Sequence, residues 1–185
     1  MIKFIISLLA LTFFSADLSA EEQKAVHLLG DSLCQGISAP MNVIAKNDNV
    51  KFSSSCLSGS RADYWSSRAE SIVKGIKPRI VIVSLGSNDA AMGNVEQQRS
   101  HIKKIITAVK KSGAKIVWLV PPKMPDKFKK GQDGIKKILY EELTESELLE
   151  SDHINLKKTG DKIHLTPEGY REWASFIWGC STVFN

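Results

Sequence analysis

The chain has 185 residues, enough for one domain that buries roughly two thirds of its unfolded surface and too few for two full ones. Lys and Arg total 25 against 20 Asp and Glu, a formal net charge of +5, yet no aromatic residues interleave with the basic ones in an RNA-binding pattern, which sets nucleic acid aside as a partner. The three cysteines, Cys34, Cys56 and Cys180, match no zinc spacing.

Residues 1–20 read as a signal peptide: Lys3 supplies a positive start, residues 4–14 an apolar centre, and Ala20 a small residue before the expected cut. Asp17 interrupts the apolar run before it reaches the about 20 residues a membrane span needs. No cysteine stands at the cleavage point to carry a lipid. The expectation is a leader over 1–20, one domain over 21–185, a periplasmic or secreted protein, and no stable membrane insertion after cleavage.

Strands are expected at 25–29, 50–54, 79–85, 114–120 and 153–156. I-V-I-V-S-L and K-I-V-W-L-V, the third and fourth, are nearly continuous apolar runs rich in β-branched residues, as strands covered on both faces are. Helical spacing marks 33–46, 62–75, 95–112, 134–149 and 167–180. In the third of these Ile102, Ile105, Ile106 and Val109 share a stripe and Gly113 stops the run; Thr166 and Pro167 open the last. Strand alternating with helix five times predicts a three-layer α/β/α sandwich on a five-stranded parallel sheet, with chemistry at the carboxyl ends of the strands. The run P-P-K-M-P leaves strand four and begins a basic connection, Lys123 to Lys137, expected as a rim or lid over that edge that would attract anionic substrates. A solvated face is the plainer reading of those lysines, as it is of the six acids between Glu141 and Asp152.

Ser32 follows strand one in G-D-S, where a serine serves equally as helix N-cap or as nucleophile. A nucleophile needs a base. His27 lies inside strand one, His101 on the polar side of a helix, and His153 at the start of strand five, the wrong end; His164, after strand five, remains, with Asp161 three residues earlier to orient it. A metal reading lacks a third ligand. Gly59 after strand two and Asn88 after strand three can offer N–H donors to an oxyanion, although glycine and asparagine also serve as ordinary turn residues.

G-D-S at 30–32, Gly59, G-S-N-D at 86–89 and D-x-x-H at 161–164 stand in the order and at the strand ends of the SGNH, or GDSL-type, hydrolases, which the sequence resembles over nearly the whole mature chain. The resemblance implies a flavodoxin-like fold, Ser32 as nucleophile, the Ser32 and Gly59 N–H groups and the Asn88 side chain as oxyanion hole, His164 as general base and Asp161 as its carboxylate. It implies no metal and no cofactor, and an ester substrate: an O-acetylated polysaccharide, or a lipid or thioester as in the lysophospholipases and thioesterases of the same family. Asp31 and Asp89 read as loop-shaping acids. A catalytically idle carbohydrate-binding protein on the same fold is the rival from another class. In this fold Cys34 falls in the first turn of helix one and Cys56 at the end of strand two, so a Cys34–Cys56 disulfide is expected, with Cys180 free on the opposite side of the sheet.

Overall fold

The computed structural model describes residues 25–180; the leader expected over residues 1–20 lies outside them. Five parallel strands, β1 (Ala25–Gly30), β2 (Lys51–Cys56), β3 (Ile80–Ser84), β4 (Lys115–Leu119) and β5 (Leu148–Leu149), form one sheet in the order β2-β1-β3-β4-β5. Alternation along each strand sorts the core into two layers. Leu29, Val81, Val83, Ile116, Trp118 and Leu148 face one side; Val26, Leu28, Ile80, Ile82, Val117 and Leu119 face the other. The first side is covered by α2 (Ala62–Ser66), α3 (Ala69–Ile76), α4 (Ser87–Ala91), α5 (Arg99–Lys111) and α6 (Lys129–Glu142). The second is covered by α1 (Ser32–Asn47) and α7 (Pro167–Gly179). Among the described residues no helix is long and apolar enough to cross a membrane.

Four local expectations change. The helix expected through residue 149 ends at Glu142, because Leu143 is extended and a capping box between Thr144 and Glu147 turns the chain into Leu148 and Leu149, which pair with Trp118 and Leu119. Strand five is therefore 148–149, not 153–156. His153 consequently follows the strand, at the carboxyl side of the sheet, rather than starting it as expected. The helix expected over 62–75 breaks at Ser67 and Arg68 into α2 and α3, and the one over 95–112 begins as a 3-10 turn, Val95–Gln98.

The P-P-K-M-P run is a fixed part of the edge and not a lid. Pro121, Pro122 and Met124 are buried, and Gln132 of α6 ties them down. Its Nε2 donates to the carbonyls of Pro121 (2.9 Å) and Pro122 (3.1 Å), while its Oε1 accepts the Met124 N–H at 2.9 Å. Cys180 is free, as expected, but it packs against the α1/α7 layer that also holds Cys34 rather than across the sheet.

Candidate active site

β1 runs into α1 through Gly30 and Asp31, and the tightness of that corner explains both residues. A Cβ on Gly30 would collide with the Ser84 carbonyl of β3. Asp31 is the N-cap: its N–H donates to the Ser84 carbonyl at 3.2 Å and its Oδ1 accepts the Leu33 N–H at 2.9 Å. The capping role open to Ser32 therefore belongs to Asp31. Ser32 is the first residue of α1, and its Oγ lies 2.9 Å from His164 Nε2.

His164 is carried by a short loop that Asp161 organises. Asp161 Oδ1 accepts the N–H groups of Ile163 (2.8 Å) and His164 (2.9 Å) and the Thr159 hydroxyl (2.8 Å), which leaves Oδ2 for His164 Nδ1 at 2.6 Å. An antiparallel bridge between Lys158 and Leu165 closes the loop, and Thr166 then caps α7 by accepting the Gly169 N–H. The His164 imidazole foremost, with the Ile163 N–H, holds the Asp161 carboxyl well below the ordinary carboxylate range. The His164 and Asp161 side chains are 41% and 47% exposed, so both are open to solvent.

The two other strand ends reach the same corner. Gly59 has φ +74°, and a Cβ there would meet nothing within 4 Å, so the space beside its backbone is unfilled. Among the described residues the N–H groups of Ser32 and Gly59 donate to no protein acceptor. Asn88, in the first turn of α4, is held from below: Nδ2 donates to the Ser60 carbonyl at 3.1 Å and to Asp31 Oδ2 at 3.2 Å. Ser60 is fixed in turn, its hydroxyl donating to the Leu57 carbonyl (2.6 Å) and accepting the Trp65 Nε1–H (2.8 Å). Asp89 is buried and its Oδ1 accepts the Ala62 N–H at 3.1 Å. Nothing in the sequence singles out Ser60 or Trp65 beyond their following Gly59 by one and six residues. Burial, more than the nearby Asp89 charge, pushes the Asp31 carboxyl up to about 7.

Cys34 and Cys56 form a disulfide with a Cα–Cα distance of 5.6 Å. It joins the first turn of α1 to the end of β2, and so braces the Ser32 corner against the Gly59 loop. The remaining histidines stay apart from this group. His27 is buried, with Nδ1 2.8 Å from Ser53 Oγ, and burial pushes it down to about 4. His101, expected in solvent, is half-buried and 2.9 Å from Ser66 Oγ. His153 stands edge-on to Phe176 with ring centroids 5.2 Å apart.

A family described as "Protein of unknown function (DUF459)" matches residues 25–152, more than two thirds of the chain. The chain belongs to that family. The DUF459 match ends before Asp161 and His164, so the loop that carries them lies beyond it. No curated protein matches the chain. Among solved structures, an acetyl xylan esterase, AlAXEase, has a TM-score of 0.68 at 18% identity, over 83% of this chain and 98% of that one. TesA has a TM-score of 0.71 at 16% identity, over 84% and 96%. A putative lipolytic protein of the G-D-S-L family from Desulfitobacterium hafniense DCB-2 has 0.65 at 17%, over 84% and 98%. The DUF459 chain thus has the fold of these G-D-S-L lipases and esterases, the fold that the four motif blocks imply.

Proposed function

We propose that this protein hydrolyses carboxylic esters through an acyl-enzyme formed on Ser32. The observation that carries the reading is one continuous series of hydrogen-bonding atoms, Asp161 Oδ2 to His164 Nδ1 at 2.6 Å and His164 Nε2 to Ser32 Oγ at 2.9 Å. Asp161 fixes the tautomer with the proton on Nδ1, so that Nε2 offers a lone pair to the serine hydroxyl. As Ser32 Oγ bonds to the ester carbonyl carbon, its proton moves to Nε2. The tetrahedral oxyanion takes the N–H groups of Ser32 and Gly59 and one Asn88 amide hydrogen, released from its 3.2 Å bond to Asp31. The bond to the alcohol oxygen then breaks, and His164 gives that oxygen its proton. Water repeats the sequence to free the acid and restore Ser32.

An open site suits an acyl group presented on something large, such as an O-acetyl group on an extracellular polysaccharide or an ester in a lipid aggregate. The acetyl xylan esterase fold supports the first. The expected leader over residues 1–20 supports export to the periplasm or beyond. Hydrolysis of p-nitrophenyl esters from acetyl to palmitoyl, compared with Ser32→Ala, tests the reading: activity on at least one chain length, reduced about 10³-fold or more in the variant, is expected. Activity within tenfold of wild type in Ser32→Ala would overturn it.

A further inference from the structure

On the outer surface of the α1/α7 layer the two helices enclose a predominantly apolar groove of about 560 Å³. Gly36, Ala39 and Val43 line its α1 wall, and Pro167, Tyr170, Arg171 and Ser175 its α7 wall. The α1 residues follow Ser32 by four, seven and eleven positions, so they continue down the helix face that Ser32 begins. On the opposite wall Pro167 follows His164 by three residues and starts α7. Both walls therefore start about one helical turn from the Ser32–His164 pair, at Gly36 and Pro167. The ring of Tyr170 lies against Gly36, so closely that any side chain at 36 would collide with it. Burial foremost raises the Tyr170 phenol above its ordinary value. Val43 is 59% exposed, an uncovered apolar side chain farther down the groove.

The direction of the groove decides what it can receive. With the carbonyl oxygen turned to Gly59 and Asn88, the departing oxygen must lie within reach of His164 Nε2 to take its proton. The alcohol half of the ester thus leaves the reaction centre on the His164 side, where the groove begins. We infer that the α1/α7 groove binds the alcohol half of the substrate, and that this half is an extended apolar alcohol. The inference rests on the esterase reading of Ser32 and, of the two substrate classes named there, takes the lipid ester over the polysaccharide.

Acetate esters of methanol, butanol, hexanol and octanol hold the acyl half constant and test it by pH-stat. Full burial of a methylene is worth about fourfold, and a groove open on one side retains about twofold. In the wild type kcat/KM is expected to rise about twofold per methylene. Val43→Asp and Ser175→Asp place a charge on opposite walls at exposed positions that the fold does not need. In each, the loss on octyl acetate is expected to exceed the loss on methyl acetate at least fivefold. A flat series in the wild type, or an undiminished slope in both variants, overturns the groove assignment while Ser32-dependent hydrolysis stands. No Ser32-dependent hydrolysis of any of these acetates overturns this inference, and if the p-nitrophenyl series is inert as well the esterase reading falls with it.

Discussion

His164 Nε2 lies 2.9 Å from Ser32 Oγ although 132 residues separate them in the chain. Nothing local holds that distance. It depends on β1 ending at the same sheet edge as the loop that precedes α7, and on the Asp161 carboxylate, which fixes both the loop backbone and the imidazole.

Asp161→Asn is therefore expected to leave the fold intact and to damage turnover. The amide keeps an oxygen for the backbone N–H groups but can present an N–H to Nδ1, which favours the wrong tautomer. A fall of about 10²–10⁴ in kcat is expected, with KM little changed, because the carboxylate acts on the proton transfer rather than on substrate binding. Steady-state kinetics with a p-nitrophenyl ester, beside a circular dichroism melt, check both halves.

Asn88→Ala removes one proposed oxyanion donor and also leaves the Ser60 carbonyl and Asp31 Oδ2 without the amide. Loss of one such donor costs about 10²–10³ in kcat. Asn88→Asp supplies oxygen where a donor is needed and is expected to be at least as damaging. Single-turnover measurement of the acylation step should carry the loss.

How much of this was legible beforehand follows from how local each signal is. β3 and β4 announced themselves, because strands covered on both faces need unbroken apolar runs. That Ser32, His164 and Asp161 come together could be read because the strand order places the residues that follow the first and last strands at one edge. β5 could not: two residues, Leu148 and Leu149, carry no periodicity, and the acids before them read as a helix until the Thr144–Glu147 capping box ended it. Asp31 shared that obscurity. G-D-S gives no hint of which of the two polar side chains caps α1, and only the backbone at the corner decides.

The Cys34–Cys56 bond closes a loop with a sequence separation of 22, which corresponds to about 3 kcal/mol in the loop-entropy model. The Cys34→Ser/Cys56→Ser double variant should therefore melt roughly 6–12 °C lower than the oxidised protein. Because the bond braces the Ser32 and Gly59 loops, catalytic activity on heating should be lost before the global melt in the variant. Parallel activity and calorimetry scans read the separation.

Two buried groups act oppositely on stability in the same pH range. Asp31 keeps its proton in the folded protein up to about 7, against 3.8 ordinarily, so its contribution is present at low pH and is lost as pH rises from about 4 to 7. His27 stays neutral in the folded protein down to about 4, against 6.5, so its contribution is present above about 6.5 and is lost as pH falls toward 4. Relative to wild type, Asp31→Asn is expected to gain stability with rising pH between 4 and 7. His27→Gln should gain it with falling pH between 6.5 and 4. Each change is on the order of 2–4 kcal/mol. Urea titrations at pH 4.5, 5.5, 6.5 and 7.5 give the two opposite slopes; parallel slopes would contradict the assignment.

Covalent labelling with a fluorophosphonate, located by peptide mass spectrometry, tests the central claim most directly. The account predicts one adduct, on Ser32, absent in Ser32→Ala and formed at least 10²-fold more slowly in His164→Ala. A folded wild-type protein that takes no label, or takes it at another residue, would contradict it.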